Sequence, residues 1–392
     1  MSLFISSLFD GVSIGAVLLM SALGLAIVFG LMGVINLAHG EMMMLGAYTT
    51  YVVQNVAKGW GEPWTTLYVF PALFLAFGVA ALAGLILERG VIRFLYGRPL
   101  ETLLATWGIS LILRESVRSA TWGMAAGIGI FSTIFLGTQW FLGRTRAVGT
   151  KISNRLRALL FGIAGGVSIA ISQILLSQGT RSFWGKSWFG KRNIDVTPPA
   201  WLRGSLKLGD LNFPYARLFI IILMIVCVIG TYWFLQKSRW GLRIRAVTQN
   251  REMSSCLGIP TNTVDALTFA LGSGLAGIAG CAVTFLGSVG PNLGSNYIVD
   301  AFMVVVVGGV GKLVGTIVAS MIIGVTSYLI GSGTIPFVLS SWNAELFKPV
   351  IDVMNFFATS SMAKVLIFAL IILFLQVRPA GLFPQKGRSV DA

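Results

Sequence analysis

The chain has 392 residues, of which 55% are hydrophobic and only 11% charged, and it carries a formal net charge of +15. Soluble domains hold about 25% charged residues, so this composition excludes a water-dressed globular protein and indicates an all-α, polytopic integral membrane protein. The basic excess lies in short stretches between apolar runs, the pattern of membrane topology, and no nucleic-acid-binding motif accompanies it.

Runs such as Ile220–Leu235, Val264–Leu286 and Val365–Val377 approach the length that crosses a hydrocarbon core. In chain order the candidate spans are 11–31, 36–55, 68–88, 101–120, 123–142, 158–178, 216–236, 264–287, 298–311, 313–333 and 363–377. This predicts about 9–11 membrane segments in a single transmembrane domain over 1–392. The first two segments and 298–333 are broken by Gly and polar residues, so re-entrant or interrupted helices are expected there. The N-terminus has no basic region ahead of its apolar run, and the first Lys or Arg is Lys58, so no signal peptide is expected.

Orientation follows from the loops. Stretches 88–101, 143–157, 237–251 and 378–388 hold 16 of the 29 basic residues. An even number of spans separates them, which places all four in the cytoplasm and the N-terminus outside. The 179–217 loop then lies outside although it carries Arg181, Lys186, Lys191, Arg192, Arg203, Lys207 and Arg217. Residues 123–178, with a basic turn from Arg144 to Arg157, are expected to form an inserted helical hairpin. Cys227, Cys256 and Cys281 lack metal-ligand spacing, and neither a metal site nor a disulfide is expected.

Two stretches concentrate polar residues. Asn36, His39 and Glu41 fall within six residues between apolar runs. They cap and charge-compensate a helix start, or they line a pore or gate. Residues 237–263 form a polar stretch with Arg243, Arg245, Gln249, Asn250, Arg251 and Glu252, then the small Ser254 and Ser255, ended by Gly258-Ile259-Pro260. Spacing alone leaves open an ordinary basic loop or a short helix that docks in a cleft. Asp265 and Asp300, at the edges of apolar runs, are expected as helix caps. Gly311-Lys312 partly matches a phosphate-binding loop, but Val306 and Leu313 stand where Gly and Ser or Thr are needed, so no ATP hydrolysis is expected. Gly308, Gly309, Gly311 and Gly315 are expected to serve close helix packing.

The stretch FGLMGVINLAHGEMMMLGAYTTYVVQN resembles the first membrane segments of LivH-type permeases of branched-chain amino acid ABC importers. The wording LMGVINLAHGE, with Asn193-Ile194-Asp195-Val196 and Pro199-Ala200-Trp201-Leu202, is closest to the urea permease branch (UrtB). Thr102–Leu111 and Arg239–Asn250 are similar to further family segments, the latter to the coupling segment. The resemblance implies a multi-pass subunit of the bacterial inner membrane that moves a small solute by alternating access. Urea is the first expectation and a branched-chain amino acid the alternative; a self-sufficient channel or secondary transporter is the remote one. It implies a second homologous permease, two cytoplasmic ATPase subunits holding ATP and magnesium, an external solute-binding protein and surrounding lipid. It also assigns Arg245, Gln249, Asn250, Arg251, Glu252, Ser255 and Gly258 to coupling with the ATPase.

Overall fold

A computed structural model describes residues 2–120, 133, 166, 188, 193–209, 211–343 and 348–383. The helices are α1 (Ser2–Met32), α2 (His39–Trp60), α3 (Trp64–Leu67), α4 (Val69–Gly90), α5 (Pro99–Ser119), α6 (Tyr215–Lys237), α7 (Arg239–Gln249), α8 (Arg251–Cys256), α9 (Thr261–Val283), α10 (Leu293–Gly308), α11 (Leu313–Gly331), α12 (Thr334–Asn343), α13 (Lys348–Phe357) and α14 (Ser360–Val377). Every expected span outside 123–178 coincides with one of these helices. Among the described residues five helices are long and apolar enough to cross a membrane: α1, α4, α6, α9 and α11, with α13 and α14 forming a bent sixth. The more polar α2 and α5 and the 16-residue α10 accompany them.

The chain divides into two compact units, 1–111 with 195–392, and 112–194. In the second, Arg118 pairs with Glu115 at 3.2 Å on the exposed end of α5, and the Trp188 N–H donates to the Ala120 carbonyl at 2.9 Å. The expected hairpin 123–178 and its basic turn fall almost wholly outside the described residues.

In the first unit α1 is the axis. Residues 16–28 are buried on every side, and the helix packs on α6, α9, α10 and α11. A second seam joins α9 to α2 and α4. In lipid no hydrophobic force draws helices together, so close approach depends on small residues. A Cβ on Gly280 would land on the Met43 carbonyl oxygen, and one on Gly46 on the Gly277 carbonyl. Gly308 and Gly315 abut in the same way where α10 meets α11, in the stretch expected to pack closely.

An antiparallel hairpin, β1 (Ser205–Leu208) and β2 (Leu211–Pro214), precedes α6. Its leading segment is fastened to the ends of α2 and α4. The Tyr68 hydroxyl and the Gln54 amide donate to the Thr197 carbonyl at 2.8 and 2.5 Å. Trp201 donates to the Thr66 carbonyl at 2.8 Å and stacks on Phe70.

Candidate functional site

The break between α1 and α2 doubles back into the bundle. Ser21 lies eleven residues before the end of α1 at Met32, a distance of about 16 Å along a helix axis. Yet the His39 Nε2 donates to the Ser21 carbonyl at 3.1 Å. Residues 33–38 are non-helical or turn, and Gly33 turns the chain with φ +68°. The six residues climb back along α1, and α2 begins inside the packed protein. Non-helical backbone at such depth persists only when its polar groups find protein partners.

Asn36, His39 and Glu41 are all buried and lie together there. Asn36 Oδ1 accepts the Ala38 N–H at 3.0 Å. Glu41 Oε1 accepts from the Ser110 hydroxyl at 2.9 Å, joining α2 to α5, and the Leu37 N–H donates to Thr106 Oγ1 at 3.2 Å. Gly294 of α10 lies against Gly40 and the second Glu41 oxygen, with no room for a Cβ. The N-cap residue of α2 is Ala38, with Asn36 two residues earlier. The three side chains thus fix the break to its own turn, to α1 and to α5.

The second constellation lies between α6 and α9. Ser238 caps α7 by accepting the Gly241 N–H at 2.9 Å. Asn250 caps α8, accepting the Met253 N–H at 2.9 Å. The six-residue α8 ends in a Schellman turn: the Gly258 N–H reaches the Ser255 carbonyl and the Ile259 N–H the Ser254 carbonyl, both at 3.0 Å. Gly258 sits at φ +80°, where a side chain is strained. A helix this short is marginal in water, but capped at both ends and joined to α9 through Pro260 it is held in one shape. It presents Glu252, Met253, Ser255 and Leu257 outward, with Met253 59% and Leu257 76% exposed, while Ser254 faces inward.

Of the residues expected at this segment, two point back into the chain. Arg245 donates to Gln236 Oε1 at 2.6 Å, folding α7 onto the end of α6. Arg251 Nη2 pairs with Asp265 Oδ2 at 2.7 Å, the carboxylate being 4% exposed, and lies 4.7 Å over the Tyr96 ring. The Tyr96 hydroxyl donates to Glu88 Oε1 at 3.5 Å. Burial first, then the neighbouring Asp265 and Glu88 carboxylates, push the Tyr96 hydroxyl well up and keep it a donor. Arg251 therefore keys α8 to both α9 and the end of α4.

Asp265 and Asp300 are not caps. The N-cap residue of α9 is Pro260, and Asp300 lies in mid-α10 with Lys364 Nζ at 2.8 Å. Each needed a cation far along the chain, which no local pattern announces. Met253 and Leu257 fall outside the charged pattern that marks this segment; two apolar residues in a polar stretch are the signal for them.

A family model described as branched-chain amino acid transport system / permease component matches residues 7–375. The chain belongs to this family. It is a permease subunit of an ABC-type importer and a multi-pass protein of the bacterial inner membrane. It is 26% identical over 381 residues to the high-affinity branched-chain amino acid transport system permease protein LivH of Salmonella typhimurium, covering 97% of this chain and 95% of that protein. It is 23% identical over the same length to the corresponding protein BraD of Pseudomonas aeruginosa, with the same coverage. A shorter likeness, 28% over 145 residues, reaches the ribose import permease protein RbsC of Escherichia coli, covering 35% of this chain and 39% of that protein. No solved structure matches the chain. The expectation of a urea permease finds no support in these relatives, whose names turn on amino acids and a sugar. The LMGVINLAHGE wording that suggested it belongs to the buried break, which holds backbone in place.

Proposed function

We propose that this permease moves a branched-chain amino acid, the alternative rather than the first expectation from sequence. The relatives that match it from end to end carry that substrate in their names. It pairs with a second homologous permease, receives solute from an external binding protein and is driven by two cytoplasmic ATPase subunits that hold ATP and magnesium. The polar stretches 88–101 and 237–251 face the cytoplasm in this reading. Asn36, His39 and Glu41 act as fixings of the broken helix, so any gating there runs through movement of α2.

The observation that carries the coupling role is α8, capped at both ends and offering Glu252, Met253, Ser255 and Leu257 outward. These residues enter a cleft on the ATPase. Gln249 and Asn250 set the angle of the helix and Gly258 closes it. Arg245 and Arg251 hold it to the transmembrane helices, so a push on α8 reaches α6, α9 and α4.

The test reconstitutes the complete importer in vesicles and compares ATP-dependent uptake of labelled L-leucine and urea. Leucine uptake that requires ATP and the binding protein is expected; urea uptake alone rejects the substrate. Ser255→Trp should abolish ATPase co-purification while the permease still inserts. Full assembly and uptake by that variant would reduce α8 to a topological loop.

A further inference from the structure

A cavity of ≈ 670 Å³ opens between α1, α10, α11 and α14, within the range of about 300–1,000 Å³ that ligand pockets occupy. Its walls are chiefly aliphatic, with Val17, Ile323 and Ile367 among them, and Arg217, Asp300 and Lys364 are set into this apolar lining. Arg217 on the wall pairs with Asp10, and the Tyr328 hydroxyl donates to the same carboxylate at 2.7 Å. Asp10 is thereby clamped by two partners. The second pair, Lys364–Asp300, is simpler: one contact of 2.8 Å, with the Lys364 side chain 45% and the Asp300 side chain 12% exposed.

Charge inside a membrane protein is costly and tends to mark a solute path. The two pairs cancel, so the cavity is neutral overall and offers no reason to concentrate a lone anion or a lone cation. Each pair is nevertheless a strong local dipole. An ammonium has three donors, and a carboxylate about four acceptor positions. Lys364 and Asp300 therefore keep bonding capacity after pairing. A zwitterion can lie antiparallel across them, its carboxylate on Lys364 and its ammonium on Asp300, with all four charges compensated. Urea, compact and neutral, would leave the aliphatic walls unfilled. A lipid phosphate would bring an unbalanced charge.

We propose that this cavity is a solute site for a zwitterionic aliphatic amino acid, with Lys364 and Asp300 binding its carboxylate and ammonium and the aliphatic wall its side chain. This rests on the importer reading above, and names the residues that would recognise the solute.

The test uses the assembled importer in vesicles. Ser327→Cys places a thiol on the cavity wall, and its rate of modification by a small maleimide, resolved by peptide mapping, reports occupancy. L-Leucine should slow it several-fold. 4-Methylpentanoate, 3-methylbutylamine and urea should not, since the first two keep the side chain but only one of the charges. Asp300→Asn combined with Lys364→Gln leaves no stranded charge. It should assemble, lose protection by leucine, and import leucine roughly tenfold more slowly or worse. Equal protection by all four compounds, protection by none, or full leucine uptake by the double variant overturns the site. So does a disulfide between two Ser327→Cys chains that leucine leaves unchanged, which assigns the cavity to a seam between copies. Wild-type uptake is scored separately: import of urea without leucine rejects the importer's substrate, while protection still decides the site.

Discussion

Arg251 and Asp265 meet at 2.7 Å across the Schellman turn that separates α8 from α9. The carboxylate is almost wholly buried and the guanidinium half-buried. Removing one partner of such a pair strands the other, whereas removing both is far milder. Arg251→Ala should destabilise the detergent-solubilised permease by about 2–3 kcal/mol, below the fully buried value because water reaches the arginine. Arg251→Ala with Asp265→Asn should recover most of it. Thermal unfolding of the two singles and the double checks this; additive losses would show that the two residues act independently.

The outward residues of α8 should behave differently. Leu257→Asp or Met253→Asp replaces an exposed apolar side chain, so the isolated permease should keep its unfolding free energy within about 0.5 kcal/mol of the parent. ATPase co-purification and uptake should both fall sharply, since interface anchors are apolar and desolvated. Unchanged assembly would remove these residues from the docking surface.

Gly280 offers a packing test. Its missing Cβ makes room for the Met43 carbonyl, which is backbone and cannot swing aside. Gly280→Val should cost about 3 kcal/mol or more, since overpacking in well-packed cores runs to about 1–3 kcal/mol and here the obstacle is rigid. Gly59→Val, on α2 where a Cβ meets nothing, is the control and should leave the melting temperature nearly unchanged.

The native cysteines report topology without substitution. Cys256 is exposed, whereas Cys227 and Cys281 are buried. A membrane-impermeant maleimide should label Cys256 in inverted vesicles and spare it in intact cells, with the other two unlabelled until denaturation. Labelling of Cys256 from outside would reverse the orientation given to α8.

The long helices were legible because their signal is local. Ile220–Leu235 and Val264–Leu286 are dominated by apolar and small residues, and α6 and α9 lie over them. The expected span begins at 11, yet α1 runs from Ser2, because Phe4, Ile5 and Leu8 continue its apolar character across polar interruptions. The hairpin before α6 and the helices α12 and α13 escape a reading by long apolar runs: the strands are four residues each and the helices ten, too short to stand out as spans. At the break, the polar trio was visible but its partners were not. Ser21, Thr106 and Ser110 carry no mark that distinguishes them from other hydroxyl or backbone groups. The inward turn of Arg251 was hidden for the same reason: fourteen residues of sequence separate it from Asp265, and only the Schellman turn brings them face to face.

The return of residues 33–38 toward Ser21 bears on how the protein is made. A helix that enters lipid from one face satisfies its own backbone as it forms. The start of α2 cannot, because the Leu37 N–H waits for Thr106 and the Glu41 carboxylate for Ser110. The Thr106 acceptor and the Ser110 donor both come from α5, about seventy residues later in synthesis. Until α5 arrives, the Leu37 N–H is without its Thr106 acceptor, and hydrocarbon penalises a backbone donor left so. The first two helices are thus expected to linger at the insertion machinery and to be released together with α5, as one delayed unit.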